Sequence, residues 1–161
     1  MDQQAEHHVL IVRDPRESMA KCSLTPLREL EGYEFIPYKF DRRVEAGGRI
    51  LLHHEAPPLS LEDRGTDLLL LDSSWRRLPK LERVIDGEPI RRSLPRLVTA
   101  YPREGRYVAN PDAGLASVEA LYAALAVMGD VRPELLAGYH WRREFLEANP
   151  WLEELAGGLG I

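Results

Sequence analysis

The segment Asp67 to Ser73 reads DLLLLDS. Four consecutive leucines between aspartates leave no polar face, as expected of a strand buried on both sides within a parallel sheet. Such a strand needs layers to cover it, so the surrounding chain must supply helices. Val9 to Arg13 is a short β-branched run closed by Asp14-Pro15 and predicts a first strand. Thr25-Pro26 suits a helix start, with Leu27 and Leu30 on its core face and Gly32 as its stop. Tyr33 to Tyr38 alternates like a strand, Gly47-Gly48 marks a turn, and Arg49 to His54 follows as another strand. Trp75, Leu78, Leu81 and Val84 have helical spacing, and Arg96 to Tyr101 reads as a strand. Val118, Leu121, Leu125 and Met128 form one stripe of a helix over Ser117 to Met128, ended by Gly129. Two more helices are expected, at about Pro133 to Ala148 and Pro150 to Ala156. The expected class is therefore α/β, a mostly parallel sheet flanked by helices.

A length of 161 residues fits a single domain, read as an N-terminal part at about 8–66, a second part at about 67–156 and a flexible glycine-rich tail at 157–161. No stretch approaches the roughly 20 apolar residues of a membrane span, and the polar start from Met1 to His8 does not resemble a secretory signal. Cys22 is the only cysteine, which excludes an internal disulfide and suits a reducing cytoplasm. The formal net charge of −5 hides an asymmetry. Between Arg76 and Arg106 nine basic residues stand against four acidic ones, while the stretches on either side are acidic. A local positive field of this kind can hold a phosphate backbone, or can be a solvated arginine face paired with acids from elsewhere.

Ligands of open α/β sheets collect beyond the carboxyl ends of the strands. Three expected strand ends carry polar or special residues: Asp14-Pro15, Asp72-Ser73-Ser74-Trp75, and Tyr101-Pro102-Arg103-Glu104-Gly105. Asp72, at the end of the leucine strand and beside Trp75, can face a cation and an aromatic ring together; Asp and Ser there equally suit helix capping. Ser117 opens the clearest helix, whose free N–H groups make a carboxylate site or a plain cap. Ser23 has the same two readings. His7-His8 and His53-His54-Glu55 lack a second cluster at ligand spacing, so no metal is expected. Neither a dinucleotide fingerprint nor a phosphate-cradling glycine loop is present.

Taken in order, several segments resemble the ribosomal-RNA aminocarboxypropyltransferases of eukaryotes and archaea. Lys21-Cys22-Ser23, preceded by Asp14-Pro15 and followed by Leu27, is similar to the family's K-C-[ST] element. Pro58-Leu59-Ser60 with Asp63 is similar to L-S-P-x-D, and Leu71 to Trp75 to the D-C-S-W signature. Leu94-Pro95-Arg96-Leu97 with Ala100 and Pro102, LASVEAL from Leu115 to Leu121, and Trp141, Phe145 and Asn149 complete the series.

The resemblance implies a SPOUT-like fold whose second part, about 67–156, forms a C-terminal trefoil knot binding S-adenosylmethionine. It implies that Leu52, Trp75, Val98, Leu115 and Ala120 line the adenine pocket. The backbone at Leu71 would hold the ribose, and Ser23 and Ser117 would fix the carboxylate of the transferred chain. Asp72 would face the reacting base as acceptor or orienter of its N–H. Arg76, Arg77, Lys80, Arg91, Arg92, Arg103 and Arg106 would hold the phosphates of an RNA, ribosomal by resemblance. The family is expected to act as a monomer in the cytoplasm. Two departures stand out: Ser73 replaces the family's cysteine, and Tyr101 to Gly105 lacks both asparagines of the family's A-N-P-x-N-Y-G run. Methyl transfer in a related pocket and a non-catalytic RNA-binding or assembly factor are the alternatives.

Overall fold

A computed structural model describes residues 7–15, 27, 30–53, 55–73, 77–95, 97, 117–152 and 154. The chain falls into two compact units, one of residues 1–57 and 65–93, the other of 58–64 and 94–161.

The first unit holds the sheet. Its strands are β1 (Val9–Arg13), β2 (Tyr33–Pro37), β4 (Ile50–Leu52), β5 (Leu68–Asp72) and β7 (Ile90–Arg92), preceded or interrupted in chain order by the short β3 (Val44–Glu45) and β6 (Ile85–Asp86). The order across the sheet is β2-β1-β5-β4-β7 and every pairing is parallel. A second, two-stranded parallel sheet joins β3 to β6. The leucine strand sits at the centre, as its composition requires: Leu68 and Leu69 are fully buried and Leu70 nearly so. Each such leucine contributes about 1.5–3 kcal/mol of transfer free energy.

Alternation divides the sheet's faces. Leu10, Val12, Leu51 and Leu69 pack with Val44, Ala46, Leu81 and Val84. Leu81 belongs to the short helix α1 (Leu78–Glu82), which has Pro79 in its first turn. Ahead of β1, His7 Nε2 accepts the Gly65 N–H at 2.9 Å and the His8 N–H donates to Asp67 Oδ1 at 3.0 Å. These bonds tie the entry to β1 to the entry to β5. They give His7, which is buried, a structural role.

The second unit contains α2 (Ser117–Val127) and α3 (Arg142–Ala148). The expected stripe of Val118, Leu121, Leu125 and Met128 is fully buried, but so are Ala123, Ala124 and Ala126. The helix is therefore covered on almost all sides rather than on one face. It closes in a Schellman arrangement: Gly129, at φ 90°, donates to Ala126 O at 2.9 Å and Asp130 N to Leu125 O at 2.8 Å. The helix expected over Pro133 to Ala148 is instead two pieces, a 3-10 turn at Pro133–Leu136 and then α3. Gly138 lies in the break, and the Tyr139 hydroxyl next to it donates to the buried Glu119 carboxylate at 2.8 Å. Trp151, Leu152 and Glu154 are helical, as expected for the last segment.

Two segments that carried the family resemblance have plain structural duties here. Ser60 and Asp63 form a reciprocal capping box over Leu61–Asp63, with Glu62 N to Ser60 Oγ and Ser60 N to Asp63 Oδ2 both at 3.1 Å. Asn149 is buried and its Nδ2 donates to Phe145 O at 2.9 Å, closing α3 around the fully buried Phe145. We expect Ser60→Ala to lower stability by about 1 kcal/mol, a shift readable as a lower urea midpoint at unchanged slope.

Elsewhere the pattern misled. Leu30 is 37 % exposed rather than in the core, whereas Leu27 is buried. β4 stops at Leu52, because His53 turns the chain with its carbonyl accepting from Ala56 N at 3.1 Å. The helix start at Thr25-Pro26 and all but Leu97 of the strand expected over Arg96 to Tyr101 lie outside the described residues, as does the glycine-rich tail.

Candidate active site

The carboxyl ends of β1 and β5 lie side by side, and both end in charged residues. Arg13 is the register partner of Asp72. Its Nε donates to Asp72 Oδ2 at 3.2 Å, with the two side chains 10 % and 4 % exposed. The Arg13 guanidinium also lies 4.7 Å from the centre of the Phe35 ring on β2, a cation–π contact that fixes its plane. Asp72 is thus a buried carboxylate held in place at the end of an apolar strand.

One residue further along, Asp14 is fully buried. Its Oδ2 accepts from Ser73 Oγ at 2.9 Å and from Arg77 Nε at 2.5 Å. Its own N–H donates to the Asp72 carbonyl at 3.0 Å, so the two strand ends are joined through backbone as well as side chains. Ser73, which stands where the resemblance leads one to expect cysteine, uses its hydroxyl in this network. A thiol would make a weaker donor there.

The predicted site residues distribute as follows. Leu52 and Leu71 are half-buried, Leu52 at the end of β4 and Leu71 beside Asp72 in β5. In the second unit Ser117 opens α2 and Ala120 lies half-buried in its first turns. Of the predicted phosphate contacts, Lys80 on α1 and Arg91 on β7 are exposed. Arg92 is half-buried, with Nη1 donating to Arg91 O at 2.9 Å. Arg77 is turned onto Asp14 with its side chain 20 % exposed. Ser23, Trp75, Val98, Leu115, Arg76, Arg103 and Arg106 lie outside the described residues.

Arg13 was not singled out by sequence reasoning. A signal existed: two buried five-residue strands, VLIVR and LLLLD, end in opposite charges. Parallel pairing in register brings those ends together.

This arrangement can orient a hydrogen-bond donor at a fixed carboxylate. Comparison with known proteins gives it a context. Residues 50–155 match the family described as "Ribosome biogenesis protein, C-terminal". Among solved structures, the chain is similar to one described as the SAM-dependent rRNA:acp-transferase Tsr3 from Vulcanisaeta distributa. The identity is 30 % and the TM-score 0.69, over 95 % of this chain and 84 % of that one. The chain belongs to the ribosomal-RNA aminocarboxypropyltransferase family. No curated protein matches it. The family match begins at β4 and so includes the leucine strand and Asp72 but not β1; Arg13 and Asp14 lie outside it. The structural likeness covers nearly the whole chain, and the mixed α/β architecture with a parallel sheet agrees with membership of the family. Among the described residues no helix is long and apolar enough to cross a membrane.

Proposed function

We propose that this protein transfers the 3-amino-3-carboxypropyl group of S-adenosylmethionine to a nitrogen of an RNA base, a uridine-type base of ribosomal RNA. The reading is carried by the 30 % identity, across 95 % of the chain, to a protein described as performing that class of transfer. It is further supported by a carboxylate, Asp72, fixed at the end of a central strand, where parallel sheets receive ligands.

The described residues suit S-adenosylmethionine. Leu52 and Leu71 offer half-buried apolar side chains at strand ends of the first unit. In this reading Trp75, Val98, Leu115 and Ala120 join Leu52 around the adenine, and the Leu71 backbone holds the ribose. Ser23 and Ser117 clamp the carboxylate of the amino-acid arm. When bound, S-adenosylmethionine supplies a sulfonium-activated γ-carbon for attack by the base nitrogen. Clamping the arm decides which carbon of the sulfonium is presented, and such positioning is worth up to about 10 kcal/mol. Asp72 faces the base and accepts or orients its N–H, while Arg13 keeps the carboxylate aimed. Arg76, Arg77, Lys80, Arg91, Arg92, Arg103 and Arg106 contribute to holding RNA phosphates, which makes binding salt-dependent. The proposal extends to a trefoil knot in the cofactor-binding part, about 67–156, of one functional domain acting as a cytoplasmic monomer.

Label transfer tests the reaction. S-adenosylmethionine labelled in the carboxyl carbon or in the methyl group is incubated with RNA from cells lacking the protein. Carboxyl label alone in RNA is the expected result. Methyl label alone would mean a methyltransferase, and neither label a binding or assembly factor. Ser117→Ala is expected to weaken S-adenosylmethionine binding about ten-fold or more, the worth of a hydrogen bond to a charged group. Calorimetry showing unchanged affinity would remove Ser117 from the arm clamp.

A further inference from the structure

We infer that the cavity at the turn following β2 is a stacking site for one unpaired base of the RNA substrate, with Phe40 as its platform; the inference rests on the RNA reading above. Among the described residues three large hydrophobic side chains are exposed, and Phe40 is much the most open at 82 %, against 37 % for Leu30 and 50 % for Leu61. Its exposure is not that of a fraying loop. The Arg42 N–H donates to Lys39 O at 3.1 Å and closes the turn, and Arg42 Nη1 reaches back to Pro37 O at 3.1 Å. Arg43 then grips β6, with Nε and Nη2 on Asp86 Oδ1 at 3.0 and 2.7 Å and Nη1 on Arg83 O at 2.8 Å. That hydrogen bond holds the Asp86 carboxyl below the usual carboxylate range. On the other side the Tyr38 N–H is bonded to Arg13 O at 2.8 Å. The ring is thus held out to solvent on a turn braced at both ends.

Beside it lies a cavity of about 510 Å³, with Asp14, Pro15, Tyr38, Lys39, Phe40 and Arg77 in its lining. That size falls within the range of about 300–1,000 Å³ typical of small-ligand sites. The cavity stands at the carboxyl ends of β1 and β2, and its Asp14 is bonded through its N–H to the Asp72 carbonyl. The Asp14 carboxylate is already engaged by Arg77 and Ser73. Lys39 is exposed, and Asp41 is the other acid of the lining. An exposed flat apolar ring with Lys39 beside it and the Tyr38 ring in the same lining matches a nucleobase and its phosphate. A protein partner would need a contiguous apolar patch, and the other two exposed hydrophobics do not line this cavity.

The test is fluorescence anisotropy with a fluorescein-labelled single-stranded oligoribonucleotide of mixed sequence and the same sequence as a duplex, without S-adenosylmethionine. Phe40→Ala is expected to weaken single-strand binding about ten-fold, the effect of removing one base–aromatic stack, and to leave duplex binding unchanged. Phe40→Trp should retain affinity and gain tryptophan emission that RNA quenches. Equal affinities of wild type and Phe40→Ala, both folded by thermal melting, would overturn the stacking site alone. No binding of either RNA by the wild type would overturn it together with the RNA reading. A Phe40 effect accompanied by no carboxyl-label transfer would support the stacking site while removing the enzyme reading.

Discussion

Asp72→Asn is expected to lower aminocarboxypropyl transfer by about 100-fold or more, the usual worth of a positioned acid–base group, with cofactor and RNA binding nearly unchanged. Asparagine is chosen over alanine because its carbonyl can still accept from Arg13 Nε, which in the wild type lies 3.2 Å from Oδ2. The variant therefore keeps an acceptor at the strand end while removing the charge that faces Arg13. Single-turnover rates with saturating S-adenosylmethionine separate this from a binding defect. A wild-type rate in Asp72→Asn would take the carboxylate out of the reaction and leave it a purely structural partner of Arg13.

Arg13→Met should destabilise the fold by about 3–5 kcal/mol, because it removes the guanidinium that pairs with a carboxylate only 3 % exposed. The companion experiment is more telling. In Arg13→Met/Asp72→Leu both charges are gone and two apolar side chains of suitable size face each other. Buried ion pairs replaced in this way are often neutral or better in stability, so most of the loss should return. Urea denaturation of the two single variants and the double variant gives the coupling directly. If the double variant regains stability but transfers nothing to RNA, the pair is kept for chemistry and not for folding. Equal instability of single and double variants would instead make Arg13 important through its cation–π contact with Phe35.

The long features of this fold were readable because composition and periodicity agreed. VLIVR and LLLLD are buried strands where the pattern puts them, and the helix that includes Ser117 stops where its glycine places it. β3, β6 and β7 were missed: they are two or three residues long, carry Glu45, Asp86, Arg91 and Arg92, and exist through pairing with β6, β3 and β4. Periodicity has too few residues to act on there. The break at Gly138 escaped because leucines on either side kept helical spacing, while the deciding contact, Tyr139 to Glu119, joins residues 20 apart. At the candidate site Asp72 was visible as a charge closing an apolar run. Its partner Arg13 was missed, since the opposite charge that closes VLIVR becomes a signal only once the two strands are taken as parallel neighbours in register. Arg77, which reads as one more cation in a basic stretch, also pairs with Asp14 through its Nε.

The order of the central strands also has a consequence for synthesis. β1 lies between β2 and β5, and its contact with β5 spans 59 residues of chain. At about 5–20 residues per second a ribosome takes roughly 3 to 12 seconds to make the intervening segment. Throughout that interval the nascent chain carries VLIVR, every residue of which ends up buried, with at most β2 to cover one edge. Arg13 waits equally long for Asp72. The leucine strand's arrival covers the second edge of β1 and neutralises the charge at its end together, before β7 completes the sheet.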